Sequence, residues 1–446
     1  MARPRAGAEP DRATIFALAS APGPSGISVW RISGPSAAEV LTRLCRHPLP
    51  EPRTMTRVRL YTPGSGNAVD DGLAAWFPAP ASFTGDDVVE LYLHGGRAVS
   101  RAVTGALSSL AGLRPALPGE FSRRALEAGK LDLTRVEAIA DLVAAETEAQ
   151  RKQARRQLEG ELGALYQGWK CEIVAILARF EAGMDFPDED LPATIFAETR
   201  PRIEALRAAM AAHLADNRRG ERIRDGLRVA ITGAPNVGKS SLLNVIAGRD
   251  VAIVSSRPGT TRDVVEVSLD LGGVPVVLAD TAGLRDTEDE IEAEGVRRAR
   301  AWSGDADIVL SVQDASDTAN GTRSADGELV VMNKCDLVPA AGRVPGSDVV
   351  WVSARTGEGV DALVQALRQR AEALAALPES ASITRARHRE SVQAAASALG
   401  SARDSSEVEL AGEELRRAAR ALGSITGEIG VEDILDAIFR EFCIGK

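Results

Sequence analysis

The apolar positions of this 446-residue chain change their period from one segment to the next. Up to about residue 128 they form short alternating runs bounded by Gly and Pro, such as Gly26-Ile27-Ser28-Val29-Trp30-Arg31-Ile32 and Val88-Val89-Glu90-Leu91-Tyr92-Leu93. Alternation of this kind marks strands buried on one face, and with the turns between them it predicts an α+β domain over 1–128. From 129 to 218 the chain turns rich in Ala, Glu, Leu and Arg, and Leu133, Val136, Ala140 and Val143 fall on one helical face. Four short apolar runs follow within 219–376: Leu227 to Thr232, Val274 to Ala279, Leu329 to Met332 and Val349 to Val352. They read as buried strands of an α/β domain. The Ala-rich helical texture returns over 377–446. Two flanking halves of one texture predict an all-α domain, 129–218 with 377–446, into which the α/β domain is inserted.

The inserted segment carries its chemistry just after its strands. Gly233-Ala234-Pro235-Asn236-Val237-Gly238-Lys239-Ser240 joins the first strand to a helix predicted over Ser240 to Ala247 and ended by Gly248. In the spacing G-x-x-x-x-G-K-S, glycines let backbone N–H groups wrap phosphates, the lysine reaches terminal oxygens, and the hydroxyl ligates magnesium. Here that assigns Asn236, Val237, Gly238, Lys239, Ser240 and Ser241 to the phosphates, with Ser240 on Mg2+. Asp280-Thr281-Ala282-Gly283 closes the second strand and puts a carboxylate where it can hold the magnesium shell.

The remaining motifs choose the base. Asn333-Lys334-Cys335-Asp336 follows the third strand, and Asp336 can accept two hydrogen bonds from an edge of guanine that adenine lacks. A site built on such bonds rejects the analogue without them. Ser353-Ala354 completes the pocket. In this order the motifs specify GTP and a P-loop GTPase domain of the Ras-like class, so the fold class is multidomain. Only six of the 53 basic residues are Lys, and Lys239 and Lys334 are two of them.

The hydrolytic machinery departs from the simplest template. Ras-like switches place a Gln after Asp-x-x-Gly to orient water, and here that position is Leu284. Gly259-Thr260-Thr261-Arg262-Asp263 offers a switch threonine for magnesium and the γ-phosphate, and the acidic run Arg285 to Glu292 follows the second motif. Such a run is either a solvated charged face or the source of a working carboxylate.

Composition adds limits. The net charge of −10 argues against a nonspecific nucleic-acid binder, although local Arg clusters can still meet phosphates. Cysteines 45, 171, 335 and 443 form neither a metal-ligand spacing nor a dense disulfide pattern, which points to a reducing, cytoplasmic setting. No apolar run reaches the ~18 residues of a membrane span.

Taken with Pro118-Gly119-Glu120-Phe121, Gly129-Lys130-Leu131-Asp132-Leu133, Asp185-Phe186-Pro187 and the ending Phe442-Cys443-Ile444-Gly445-Lys446, these motifs resemble the family of tRNA modification GTPases called MnmE or TrmE, over essentially the whole chain. The resemblance implies an N-terminal folate-binding domain that also mediates homodimerisation, and a helical domain that carries the GTPase. It implies an FAD-dependent partner, MnmG, in a heterotetramer that installs a carboxymethylaminomethyl or aminomethyl group on carbon five of the tRNA wobble uridine. The one-carbon unit comes from a tetrahydrofolate derivative, and FAD belongs to the partner.

Residue by residue, the same resemblance implies K+ held by Asn236 with backbone carbonyls around Ser255, Arg257 and Thr260, standing in for an arginine finger. It makes Glu292 the catalytic glutamate that orients water, Ser240 and Thr261 the Mg2+ ligands, and Arg262, Asp263 and Arg285 switch residues. Arg31, Glu90, Lys130 and Lys446 match folate contacts, where a carboxylate suits the donor edge of a pterin and the cations suit its oxygens. Cys443 lies in the terminal motif, as a functional thiol or a small buried hydrophobe. The other function class in view is a ribosome-assembly or regulatory GTPase acting as a conformational switch.

Overall fold

The chain divides into two compact units, 1–140 with 426–446 and 141–425. The computed structural model describes residues 13–185, 191–249, 251–253, 266–280, 306–317, 327–344, 346–376 and 381–428, together with Ile438 and Gly445.

The first unit is built on a six-stranded sheet of β1 (Thr14–Leu18), β2 (Ser28–Ser33), β3 (Thr56–Tyr61), β4 (Ala68–Phe77), β5 (Val88–Leu93) and β6 (Leu113–Pro115), in the order β3-β4-β5-β2-β1-β6. Its pairs are antiparallel except β1 with β6. The period of two decides what each face carries. Trp30 and Ile32 of β2 and Val89, Leu91 and Leu93 of β5 join a core with Leu41 and Leu44 of helix Ala37–Leu44 and Val103 and Leu107 of helix Arg97–Ser108. The intervening positions, Arg31, Glu90 and Tyr92, are only partly buried and stay polar.

A second, small cluster of Ile15, Ala17, Ala116 and Phe121 roots helix Glu120–Glu127. Leu133 and Val136 are fully buried, whereas Val143, on the same helix Leu133–Ala144, is 49% exposed. Ten residues beyond Leu133, at ~100° per residue, Val143 stands about 80° around the helix and at the edge of the apolar stripe.

In the second unit, helices Glu161–Asp185 and Leu191–Leu214, before the inserted domain, share one core with helices Ala386–Asp404 and Val408–Thr426, after it. Tyr166, Ile173 and Phe180 pack with Ile203 and Met210, and with Val392, Leu399, Leu415 and Leu422. Residues 129–140 and 426–446, expected in the same helical domain, belong instead to the first unit, where Gly427 lies against Leu133. These four helices are one body, and an α/β domain is inserted between them in the chain.

That domain holds β7 (Leu227–Thr232), β8 (Glu266–Asp270), β9 (Pro275–Asp280), β10 (Ile308–Asp314), β11 (Leu329–Asn333) and β12 (Val349–Trp351), ordered β12-β11-β10-β7-β9-β8. All pairs are parallel except the edge strand β8 against β9. Ile231, Leu278, Leu310, Val330 and Val331 have no exposure, as expected of parallel strands covered on both faces. The parallel order brings the C-terminal ends of β7, β9, β11 and β12 to one edge, where ligands of open α/β sheets bind. Among the described residues, no helix is long and apolar enough to cross a membrane.

Candidate functional site

The loop after β7 is fitted to its neighbours. Gly233 has φ 138, and a Cβ there would lie 2.2 Å from the Val312 carbonyl oxygen of β10. Gly238 has φ 94, and its Cβ would meet the Asn333 side-chain nitrogen at 2.3 Å. Both positions demand glycine, by conformation and by space. Asn236 also lies in the left-handed region, at φ 63, which Asn tolerates better than most residues. The helix that follows, Lys239–Ala247, starts one residue earlier than its apolar pattern. The Lys239 ammonium, in a residue 7% exposed, donates to the carbonyls of Gly233 at 2.9 Å and Ala234 at 2.7 Å. A buried cation is thus kept satisfied by the loop that it serves.

Asn333 joins two loops. Its side-chain N–H donates to the Val237 carbonyl at 2.7 Å, and its side-chain oxygen accepts from the Ala354 N–H at 3.0 Å. One buried amide therefore ties the phosphate loop to the loop after β12. Lys334, at φ 63, donates to Asp314 Oδ2 at 2.7 Å, and Ser316 donates to Oδ1 from its N–H and its hydroxyl. Burial works against a charge on Asp314, but these bonds outweigh it and hold the carboxyl below its usual range. Asp336 accepts from the Ser353 hydroxyl at 2.6 Å on Oδ1 and from Arg355 at 2.7 Å on Oδ2. The Ser353 hydrogen bond, then the Arg355 charge, keep it ionised below the ordinary carboxylate range.

Asn236, Val237, Gly238, Lys239, Ser240 and Ser241 thus share one edge of the sheet with Asn333, Lys334, Asp336, Ser353 and Ala354. Asp280 ends β9 opposite Ile231, though its side chain is outside the described residues. Also outside them are Ser255, Arg257, Thr260, Thr261, Arg262, Asp263, Thr281, Ala282, Gly283, Arg285, Glu292, Cys443 and Lys446. Asp314 and Arg355 were not legible as site residues. The available signals were that Asp314 ends an apolar strand, as Asp280 does, and that Arg355 directly follows Ser353-Ala354.

A second polar group lies in the first unit. Arg31 and Glu90 face each other across β2 and β5, and Arg31 Nε donates to Glu90 Oε1 at 2.9 Å. Tyr92, two residues along the same face, donates its O–H to Glu90 Oε2 at 2.6 Å. Both Glu90 oxygens are therefore engaged within the chain, and Tyr92 is a member that the pattern of charges did not disclose. The Arg31 guanidinium lies 5.5 Å from the Phe83 ring and 5.9 Å from that of Phe121, and donates to the Gly445 carbonyl at 3.4 Å. Lys130 donates to the Pro80 carbonyl at 2.5 Å, three residues before Phe83. One short loop thus touches both cations.

Comparison with known proteins fits this geometry. The family model described as MnmE helical domain matches residues 133–443, and that described as GTP-binding protein TrmE N-terminus matches residues 14–130. The tRNA modification GTPase MnmE of Paramagnetospirillum magneticum (strain AMB-1) is 54% identical over 442 residues, 97% of this chain and 99% of that protein. Those of Parvibaculum lavamentivorans and Rhodospirillum rubrum are 54% identical over 440 residues and 53% over 452, covering 97% of this chain and 100% and 99% of their own lengths. A solved structure, the G domain of the T. maritima FeoB iron transporter, is 26% identical over 32% of this chain and 98% of its own, at a TM-score of 0.23, too low to carry an argument.

Proposed function

This chain belongs to the MnmE family of tRNA modification GTPases, and from that premise we propose a potassium-stimulated GTPase that works with an FAD-dependent partner, MnmG, on the wobble uridine of tRNA. Residues 1–128 form the folate-binding and dimerisation domain of this reading, 129–218 with 377–446 the helical domain, and 219–376 the GTPase. The observation that carries it is the Asn333 amide, which fixes the phosphate loop at Val237 and the base loop at Ala354 in one network. A nucleotide whose phosphates meet the first loop has its base at the second.

The residues present suit GTP. The narrow passages at Gly233 and Gly238 leave backbone N–H groups unobstructed by side chains, Lys239 supplies the cation, and Asp336 presents an ionised acceptor for the two donors of guanine. Ser240 and Thr261 would hold Mg2+, which neutralises charge on the phosphates. Asn236, with Ser255, Arg257 and Thr260, would hold K+, which supplies the charge that an arginine finger brings elsewhere. Glu292 would orient the attacking water in place of the absent glutamine, and Arg262, Asp263 and Arg285 would couple the nucleotide to rearrangement. In the first unit, Arg31, Glu90, Lys130 and Lys446 would hold a tetrahydrofolate derivative. Arg31 and Tyr92 keep Glu90 oriented there.

GTP turnover compared in potassium and in sodium tests this reading. Potassium should raise the rate about tenfold or more, a small part of what an arginine finger supplies. Equal rates would remove the potassium assignment. Glu292→Ala should abolish hydrolysis at near wild-type GTP affinity, and a parallel loss of affinity would make Glu292 structural.

A further inference from the structure

Asp336, the carboxylate read above as the guanine acceptor, already carries two donors of unequal permanence. On Oδ1 stands the Ser353 hydroxyl, from a residue with no exposure. Ser353 is fixed by its own N–H to the Glu358 carbonyl at 2.9 Å, and its hydroxyl also accepts from the Thr356 N–H at 3.2 Å. On Oδ2 stands Arg355, whose side chain is 77% exposed while that of Asp336 is 13% exposed. Arg355 thus takes the carboxylate oxygen that Ser353 leaves, and does so with an exposed side chain.

The backbone beneath Arg355 is not free to follow a ligand. Gly357 N–H closes the turn onto the Ser353 carbonyl at 2.9 Å. Gly359, at φ 75, sits so close to β12 that a Cβ would be 2.0 Å from the Trp351 carbonyl oxygen. Uncovering Oδ2 therefore takes a swing of one side chain with the loop at rest. We propose that Arg355 is a displaceable gate on the base-recognition carboxylate, holding Asp336 ionised and aimed while the site is free and leaving Oδ2 when a guanine nucleotide enters. This rests on the reading of Asp336 as the guanine acceptor. The gate is light, since an exposed ion pair of this kind shifts an equilibrium by about two- to fivefold.

Stopped-flow binding of ribose-labelled fluorescent GDP to the full chain tests it, with wild type, Arg355→Met and Arg355→Ala, each checked by a thermal melt. Both variants should associate about two- to fivefold faster with dissociation unchanged. Added salt screens the anionic nucleotide in all three proteins but the Arg355–Asp336 pair only in wild type, so it should narrow the ratio between the variants' association rate and that of wild type. Faster dissociation at unchanged association would overturn the gate, making Arg355 a holder of the bound base. Unchanged rates in both variants would overturn it too, provided that wild type prefers labelled GDP to labelled ADP. If wild type binds the two alike, the guanine reading itself fails and takes the gate with it.

Discussion

Asp336 with Arg355 and Glu90 with Arg31 are the same chemical pair in two settings. The first joins two loops at the ends of parallel strands, and one partner is 77% exposed. The second joins adjacent antiparallel strands in register, with side chains 22% and 14% exposed, a tyrosine on the far carboxylate oxygen and two aromatic rings against the guanidinium. An exposed pair gains little and exchanges readily. A half-buried pair with its other valences filled is part of the fold, since losing one partner strands the other. The first pair is thus arranged to trade its contacts, and the second to hold a fixed polar surface, which in the proposed folate site leaves the ligand to the remaining guanidinium donors.

The largest expected effect lies on the exchanging side. Asp336→Ala removes the acceptor proposed for both guanine donors, and GDP affinity should fall on the order of 100- to 1,000-fold, as charged hydrogen bonds of this type supply. Preference over ADP should vanish with it. Equilibrium titration with both nucleotides measures this. A loss under tenfold with preference retained would mean that the base is read elsewhere, and the contrast between the two pairs would lose its functional side.

On the fixed side, Arg31→Ala should cost stability as well as ligand. It leaves the Glu90 carboxylate half-buried with only the Tyr92 hydroxyl, at about 2 kcal/mol, below the range for fully buried pairs. Arg31→Lys keeps the charge and loses the fork, so its cost should be intermediate. Denaturant unfolding followed in the first unit gives the ordering, and titration with formyl-tetrahydrofolate gives the binding loss. Wild-type stability in Arg31→Ala would erase the distinction between the two sites.

Four of the six described strands of the inserted domain were legible, β8 and β10 being missed, because each kind of sheet writes its own pattern. Parallel strands covered on both faces give continuous runs such as Leu227–Thr232, and one-faced antiparallel strands give alternation, as in Val88–Leu93. That the motif residues gather at one sheet edge was legible for the same local reason, since Lys239, Asn333 and Asp336 have their spacing written in the chain. Partners across the fold were not. That Asn333 bonds Val237, 96 residues away, and that Lys334 bonds Asp314 follow from the strand order β12-β11-β10-β7, which linear order does not reveal. Tyr92 is an intermediate case: the period of two places it on the Glu90 face, but only the paired strands show the carboxylate turned toward it.

The smallest effect separates the two settings by pH. Burial, and then the Glu90 carboxylate that accepts its O–H, push the Tyr92 phenol from 10.0 up to about 12. A folded pKa above the unfolded one means that the neutral phenol favours the fold, so its contribution is fully present below pH 10 and is lost as pH rises through about 12. Tyr92→Phe should therefore cost about 1 kcal/mol at neutral pH, the worth of one hydrogen bond, and should flatten the alkaline loss. With three tyrosines in the chain, the difference in tyrosinate absorbance between wild type and Tyr92→Phe isolates this one. In Glu90→Gln the phenol should ionise earlier, because the charge that opposed the phenolate is gone while burial remains. If Tyr92 titrates near 10 in wild type, the Glu90 cluster is as open to water as the Arg355 pair, and the fixed surface proposed for the N-terminal site is instead a second exchangeable one.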